Sequence, residues 1–362
     1  MEWEELKNFF ANKKVCITGH TGFKGSWLTQ IMILAGADVV GISVDPPSQP
    51  NLFQILKLKD KIKHYYADVT EYKDIQAIFL KEKPEIVFHL AAQPIVFESY
   101  KNPRDTFEIN TLGTTNVLEA IRNTRSVKCA VFITTDKVYK NNNWIWPYRE
   151  IDQLGSGLDP YSVSKAAAEM IIETYSKIYF NPEKYGEEHN TLIASARAGN
   201  VVGGGDWAPY RLINDIVRAI FEKKELVIRN PYGIRPWNYV LEVLEGYMML
   251  AKRLYMGETA IVGAWNFAPN IEDHITVKEI IEIAKTVLNT EIKIALGEKQ
   301  MKEDSILLLD STKARRILGW KPKYSAYERF TNTFEWYGKY YSHKENMEEY
   351  SNKMILNFFG ET

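Results

Sequence analysis

The sequence predicts an α/β protein: a doubly wound parallel sheet with a smaller, discontinuous α/β domain beside it. Three observations predict it. Short apolar runs alternate with longer amphipathic patterns through the first half of the chain. Several of these runs are near-continuous in Val, Ile and Phe, the pattern of strands covered on both faces. A glycine-bearing turn, Gly19, Gly22 and Gly25, links the first strand to the first helix.

The strands are expected at KVCITG (14–19), DVVGISVD (38–45), KHYYADV (63–69), EIVFHLAA (85–92), KCAVFITTD (128–136) and TLIASARAGNVVG (191–203). Amphipathic spacing between them predicts helices near 24–36, 71–82, 104–124 and 161–180. Ligands of such sheets lie outside the carboxyl ends of the strands. After residue 180 the alternation loosens into a polar loop at 181–190 and a Gly-rich stretch at 201–211. A helix at 240–255, a short strand at WNFAP (265–269) and two more at EIKIAL (291–296) and SILLLD (305–310) are expected beyond it. The nucleotide-binding domain then comprises residues 1–190 with about 236–264. The second domain takes about 203–235 and 265–362.

The bulk numbers exclude several classes of function. A chain of 362 residues with a formal net charge of −1 offers no electrostatic case for nucleic acid or an anionic membrane. The two cysteines, Cys16 and Cys129, lie in apolar strand-like runs and read as small buried hydrophobes of a reducing compartment. The start MEWEELKNFF lacks the basic residues and apolar run of a signal peptide, and no apolar run is long enough to span a bilayer. The expectation is a cytoplasmic enzyme or small-molecule binder with no metal.

In the turn, residues without Cβ let the backbone approach a pyrophosphate, and the following helix start offers unpaired N–H groups. Lys24 either adds charge there or is solvated. Asp45 closes the second strand, twenty residues past Gly25, where a carboxylate can accept from both ribose hydroxyls. No Lys or Arg stands between Asp38 and Asn51, so a 2′-phosphate would lack a cationic partner, which favours NAD over NADP. The alternative is that Asp45 only opens the turn. Asp68 either reaches the adenine or holds a turn. In YSVSK, Tyr161 and Lys165 share one helix face. An ammonium beside the phenol would favour phenolate, a base suited to a sugar hydroxyl. The stretch FITTDKVYKNNN (132–143) runs from a strand straight into Asp136 and Lys137, an acid and a base side by side.

Together these residues resemble the extended short-chain dehydrogenase/reductase superfamily of Rossmann-type fold over nearly the whole chain. The strings TGHTGFKGSWL, FHLAAQP, TTDKVY, DPYSVSKAAAE, RAGNVVGGGDWA and RNPYGIRPWNYVLE are similar to the CDP-glucose 4,6-dehydratase family. The resemblance implies bound NAD, a CDP-glucose substrate and loss of water to a 4-keto-6-deoxy sugar. It implies that Thr135, Tyr161 and Lys165 form the Ser/Thr-Tyr-Lys triad; Asp136 is then the candidate acid and Lys137 the candidate C5 base, or Lys137 only pairs with Asp136 or a diphosphate. In dehydratases of the dTDP-glucose kind a glutamate stands where this chain has Lys137. A straight strand cannot turn Thr135, Asp136 and Lys137 to one side, so the chain must curl there.

The resemblance further implies cofactor contacts from Gly19, Thr21, Gly22, Phe23, Gly25, Asp45, Asp68, Val69, Leu90, Ala91, Ala92, Gln93, Asn110, Tyr161 and Lys165. Gln93, Thr135, Asn200, Arg211 and Arg235 would contact substrate, the arginines through its diphosphate. Asn110 is equally suited to capping local backbone, and His89 reads as a satisfied core histidine. Trp207, Trp237 and Tyr239 line the nucleotide or pack the core. Helices near 104–124 and 161–180 would pair with a second subunit, giving a homodimer or a dimer of dimers. Ahead of the LD pair the family tends to carry His-Glu, where this chain reads KQMKEDSILLLD. A 4-epimerase, or a dehydratase of a dTDP-, UDP- or GDP-sugar, is the competing enzyme. A non-catalytic NAD sensor is the competing binder.

Overall fold

The computed structural model describes residues 1–155, 159–228, 230–233, 235–270, 272–273, 275–297 and 307–361. The strands in chain order are β1 (Lys14–Thr18), β2 (Asp38–Ser43), β3 (Lys63–Tyr66), β4 (Ile86–His89), β5 (Cys129–Ile133), β6 (Leu192–Ala198), β7 (Asn200–Val202), β8 (Leu226–Ile228), β9 (Trp237–Tyr239), β10 (Gly263–Phe267) and β11 (Ile294–Leu296). Seven of them form one sheet in the order β10-β6-β5-β4-β1-β2-β3, parallel throughout. The order reverses between β1 and β4, so the crevice at the carboxyl ends opens beside the glycine turn. The expected Rossmann-type sheet is therefore present, and its strands are apolar on both faces because helices cover both. Val15, Ile17, Phe88 and Val131 face one buried cluster; Cys16, Val40, Val87 and Phe132 face the other. Both cysteines are buried and free.

Two short parallel pairs lie outside that sheet, β8 with β11 and β7 with β9. The run expected as one strand at 191–203 divides into β6 and β7 at Gly199. The strand expected at 305–310 begins outside the described residues; Leu309 makes only an isolated bridge to Tyr148. Helices stand at Phe23–Leu34, Tyr72–Glu82, Pro160–Ile178 and Val240–Tyr255, close to their expected bounds. The segment 104–124 is helical as expected, with a π-helical turn inside it. It runs Pro103–Phe107, then a π-helical turn Glu108–Leu112, then Gly113–Arg122. No helix of the described residues is long and apolar enough to cross a membrane.

One polar cluster ties the site-bearing elements together. Glu169, on the helix Pro160–Ile178, accepts from Arg197 of β6 through two bonds, Nε at 2.9 Å and Nη2 at 2.8 Å. The same carboxylate accepts from Thr134, just past β5, and from Ser195 of β6 at 2.7 Å. Arg197 also donates to the Tyr139 hydroxyl at 2.9 Å, which donates to Asn266 at 2.8 Å. Burial pushes the Glu169 carboxyl up, and Arg197 with the two hydroxyls more than offsets it, leaving it below the usual range. A buried pair of this kind is costly to break, because the surviving charge has no solvent. Arg197→Met is expected to lower stability by about 3–5 kcal/mol in urea unfolding, and the double change with Glu169→Gln to recover part of that loss.

Candidate active site

At the nucleotide end, the glycine turn is packed too closely for side chains. A Cβ on Gly19, whose φ is +74°, would lie 2.6 Å from the Ala91 backbone nitrogen, and one on Gly25 would lie 2.1 Å from the Gly19 carbonyl oxygen. The helix start at Gly22 has no side-chain cap and no acid in its first turn, so its N–H groups remain available to an anion. Thr21 is fixed by Ser43 at 2.7 Å and by the Val44 carbonyl at 3.1 Å, while Phe23 opens the helix. This close-packed turn at an uncapped helix start fits a dinucleotide pyrophosphate.

The flanking residues divide. β2 ends at Ser43, so Asp45 stands two residues beyond it, exposed, with the Tyr66 hydroxyl at 3.5 Å. Asp68 also lies beyond its strand. It accepts from both the backbone and hydroxyl of Thr70 at 2.9 Å, a turn-holding role. Val69 packs where a Cβ on Gly113 would touch it, and Asn116 holds its carbonyl at 2.9 Å. Leu90, Ala91 and Ala92 follow β4 along the crevice, with Leu90 bonded to the Thr18 carbonyl at 3.1 Å and Ala91 to the Thr18 hydroxyl at 3.3 Å. Asn110 is wholly engaged within the protein: it accepts from the Gln93 backbone N–H at 2.9 Å and donates to the Gln93 carbonyl and Ser164 hydroxyl. The π-helical turn aims it there. The Gln93 side chain is likewise held, by Thr106 at 2.8 Å and the Ile95 N–H at 2.6 Å. His89 sits between Thr18 at 2.8 Å and Thr114 at 3.2 Å, a satisfied core histidine.

The catalytic end is compact. β5 stops at Ile133 and a 3₁₀ turn spans Asp136–Val138, so the curl demanded by three consecutive polar residues is present. Thr135 caps that turn: its hydroxyl accepts from the Lys137 N–H at 3.3 Å and donates to Asp136 Oδ1 at 2.9 Å. Asp159 caps the facing helix through the Ser162 N–H at 2.9 Å, and Pro160 fills its first position. That start puts Tyr161 and Lys165, one turn apart, into the pocket with Thr135 and Asp136, all four buried. Burial raises the Asp136 carboxyl; Lys137, the Thr135 hydroxyl and Arg235 only partly oppose it. Gly199 backs onto Asp136, where a Cβ would meet Oδ2 at 3.0 Å.

One expectation fails here. Burial pushes the Tyr161 phenol up to about 12, against the Thr135 hydroxyl and Arg211. The Lys165 ammonium donates to the Ile133 carbonyl at 3.2 Å, and burial brings it down to about 8. The other expected residues are spread out. Asn200 lies on β7 opposite Trp237. Arg211 reaches Asp206 at 3.3 Å near the mouth, and its charge is felt at Tyr161. Trp207, Trp237 and Tyr239 are packing residues: Trp207 sits in an aromatic cluster with Trp336, Tyr337 and Tyr340, Trp237 against Phe330, and Tyr239 against Tyr324. The tail string at 299–304 lies outside the described residues. Two residues of the pocket had no distinctive signal in the sequence. Gly199 falls inside what reads as a single strand, and Lys24 reads as either an added charge beside the turn or a solvated lysine.

The GDP-mannose 4,6 dehydratase family model matches residues 16–333. A CDP-glucose 4,6-dehydratase from Salmonella typhimurium is 42% identical, covering 98% of this chain and 99% of its own. A dTDP-glucose 4,6-dehydratase from Shigella flexneri is 28% identical over 90% of this chain and 92% of its own. Among solved structures, an epimerase from Methanothermobacter thermautotrophicus superposes with a TM-score of 0.79 at 23% identity, covering 97% of both chains. A dTDP-glucose 4,6-dehydratase from Streptomyces venezuelae superposes with 0.76 at 18% identity, covering 92% of this chain and 99% of its own.

Two changes test the site without any assay of turnover. Gly19→Ala forces an alanine into left-handed backbone, about 1–2 kcal/mol, and adds the overlap with Ala91, so urea unfolding should show at least that loss. The Asp136 carboxyl is raised in the folded state, so the fold binds its proton more tightly than the unfolded chain does. Asp136 therefore weakens the fold above its raised folded pKa, and the penalty disappears as pH falls toward the ordinary carboxylate range. Asp136→Asn should melt higher than wild type at pH 7, with the gap closing toward pH 4.

Proposed function

The chain belongs to the CDP-glucose 4,6-dehydratase family, within the NAD-dependent epimerase/dehydratase superfamily, and from that premise we propose that the buried cluster at the end of β5 dehydrates CDP-glucose. The product is CDP-4-keto-6-deoxy-D-glucose and the other product is water. NAD, when bound, supplies the redox chemistry, accepting hydride from C4 and returning it to C6. Gly19, Gly22 and Gly25 with the helix start hold its pyrophosphate, and Asp45 takes the ribose hydroxyls. The lack of any Lys or Arg from Val39 to Pro50 supports NAD over its 2′-phosphorylated form.

The chain's own residues divide the proton work. Thr135 holds the 4-hydroxyl and Tyr161 removes its proton. Lys165, pinned to the Ile133 carbonyl, fixes the charge beside that phenol. Oxidation at C4 acidifies the C5 proton, which Lys137 removes. Asp136 protonates the departing 6-hydroxyl as water, and a solvent-exchanged proton returns to C5 through Lys137 as hydride arrives at C6. The observation that carries this reading is the buried Asp136: burial raises its carboxyl, which favours the protonated form an acid needs. A 4-epimerase requires the phenol and ammonium but no acid at C6. Asn200, Arg211 and Arg235, with Gln93, are assigned to the substrate; the charge of Arg235 reaching Asp136 supports its place near the sugar.

We assign the dinucleotide to residues 1–190 with about 236–264, and the nucleotide sugar to about 203–235 and 265–362. The protein acts as a homodimer, or a dimer of dimers. Phe107 and Leu112 on one side and Val163, Met170 and Ile178 on the helix Pro160–Ile178 are exposed apolar residues that support pairing there. Two free buried cysteines support a reducing, cytoplasmic setting.

Incubation with CDP-glucose in deuterium oxide is the direct test: the 4-keto-6-deoxy product should carry solvent deuterium at C5. An epimer of CDP-glucose, or product only from a dTDP-, UDP- or GDP-sugar, would refute the assignment. Lys137→Met should suppress deuterium entry at C5 while the absorbance of reduced cofactor still develops; persistent exchange would mean another base. Tyr161→Phe should lower kcat by about 10²–10⁴, the usual worth of one positioned acid–base group.

A further inference from the structure

Lys24 is the second residue of the helix Phe23–Leu34. A pyrophosphate seat in the turn asks only for backbone N–H groups at this position. The Lys24 side chain nevertheless crosses the ring of Tyr247, with Nζ 5.8 Å from the centroid, into the pocket that holds Tyr161. No group among the described residues accepts a hydrogen bond or forms an ion pair with it. The charges that face it are Lys165 and Arg211, both repelling, and Asp136, attracting. Burial and the two cations bring its amine down to about 7, against the pull of Asp136. Tyr247 is fully buried, and its hydroxyl also has no hydrogen-bond partner. Buried polar groups in native folds are almost always satisfied, so the unpartnered Tyr247 hydroxyl, with the half-buried Lys24 ammonium over its ring, points to a ligand.

We propose that Lys24 is a ligand-binding residue of this site, whose ammonium takes a phosphate oxygen of a diphosphate-bearing ligand and gains its proton from solvent as that ligand arrives. The proposal rests on the dinucleotide and nucleotide-sugar reading above. Lys24 feels two cations, Lys165 and Arg211, and one carboxylate, Asp136, while Arg211 is itself paired with Asp206 at 3.3 Å. A diphosphate brings two negative charges and turns the repulsion at Lys24 into attraction. Asp136 cannot do this alone, since no ion pair joins it to Lys24 and it is itself biased toward the neutral acid. Both the dinucleotide and the nucleotide sugar carry a diphosphate, and the pocket lies between the glycine turn and the catalytic cluster.

Calorimetric titration of the intact protein at pH 7, in two buffers of different ionisation enthalpy, decides it. NAD and CDP are added in separate experiments. An amine half-protonated before binding and fully protonated after it takes up about half a proton. Uptake with NAD assigns the contact to the cofactor, and uptake with CDP assigns it to the substrate. Lys24→Met should abolish the uptake and weaken that ligand about 10- to 100-fold, the worth of one charge-assisted hydrogen bond. Lys24→Arg, charged at every pH, should keep most of the affinity and take up no proton, which a purely structural lysine would not do. Tight binding of both ligands without uptake, or an uptake that survives in Lys24→Met, would overturn the proposal and leave the catalytic reading intact. Failure of both ligands to bind at all would sink that reading and this one together.

Discussion

The geometry of the pocket depends on one buried ion pair. Arg197 and Glu169 join β6 to the helix that carries Tyr161 and Lys165, and Thr134 brings the end of β5 onto the same carboxylate. Thr135 and Asp136 follow Thr134 directly in the chain, so their distance from the phenol is set by that clasp. Lys165 adds a second tether by reaching the last carbonyl of β5. Elements far apart in sequence thus meet at a fixed spacing with little freedom to drift. A bidentate guanidinium–carboxylate pair is suited to this, since its geometry is planar and directional.

The same enclosure that fixes positions also sets ionisation. Burial raises Asp136 and Tyr161 and lowers Lys24 and Lys165. Near neutral pH the shifts of Asp136, Lys24 and Lys165 cost folding free energy while the neutral Tyr161 phenol costs none, and at Lys24 the cations it feels outnumber the carboxylate. That imbalance suits anionic ligands and makes their arrival an electrostatic event as well as a steric one. It also changes the account of the phenol. At Tyr161 burial outweighs the groups that favour phenolate, and the Lys165 ammonium is turned to the Ile133 carbonyl.

Much of the fold was legible because it is written in local periodicity. The two-sided apolar runs gave β1, β4 and β5 close to their observed positions, and the Tyr161–Lys165 spacing needed only a helix to be meaningful. Local reading fell short where a pattern is broken by something distant. The 104–124 segment is the helical run its spacing predicts, and what the spacing did not show is the π-helical turn inside it, where Asn110 bonds the Gln93 backbone across the fold. The 191–203 run looks like one strand, yet it divides at Gly199, against which Asp136 packs. Asp68 and Trp207 each carried two readings, a ligand role and a structural one, and the structure shows the turn-holding bonds of the first and the aromatic packing of the second.

The sequence by itself determined the sheet, the glycine turn, and the types and order of the catalytic residues, because those follow from spacing within single elements. Only the tertiary structure decided which polar groups are buried together. Lys24 lies 112 residues before Asp136 and 141 before Lys165, and nothing local says that they share a pocket. Burial and the electrostatics it controls are properties of the packed assembly of elements, so the charge state of this site could be read only once the chain was folded.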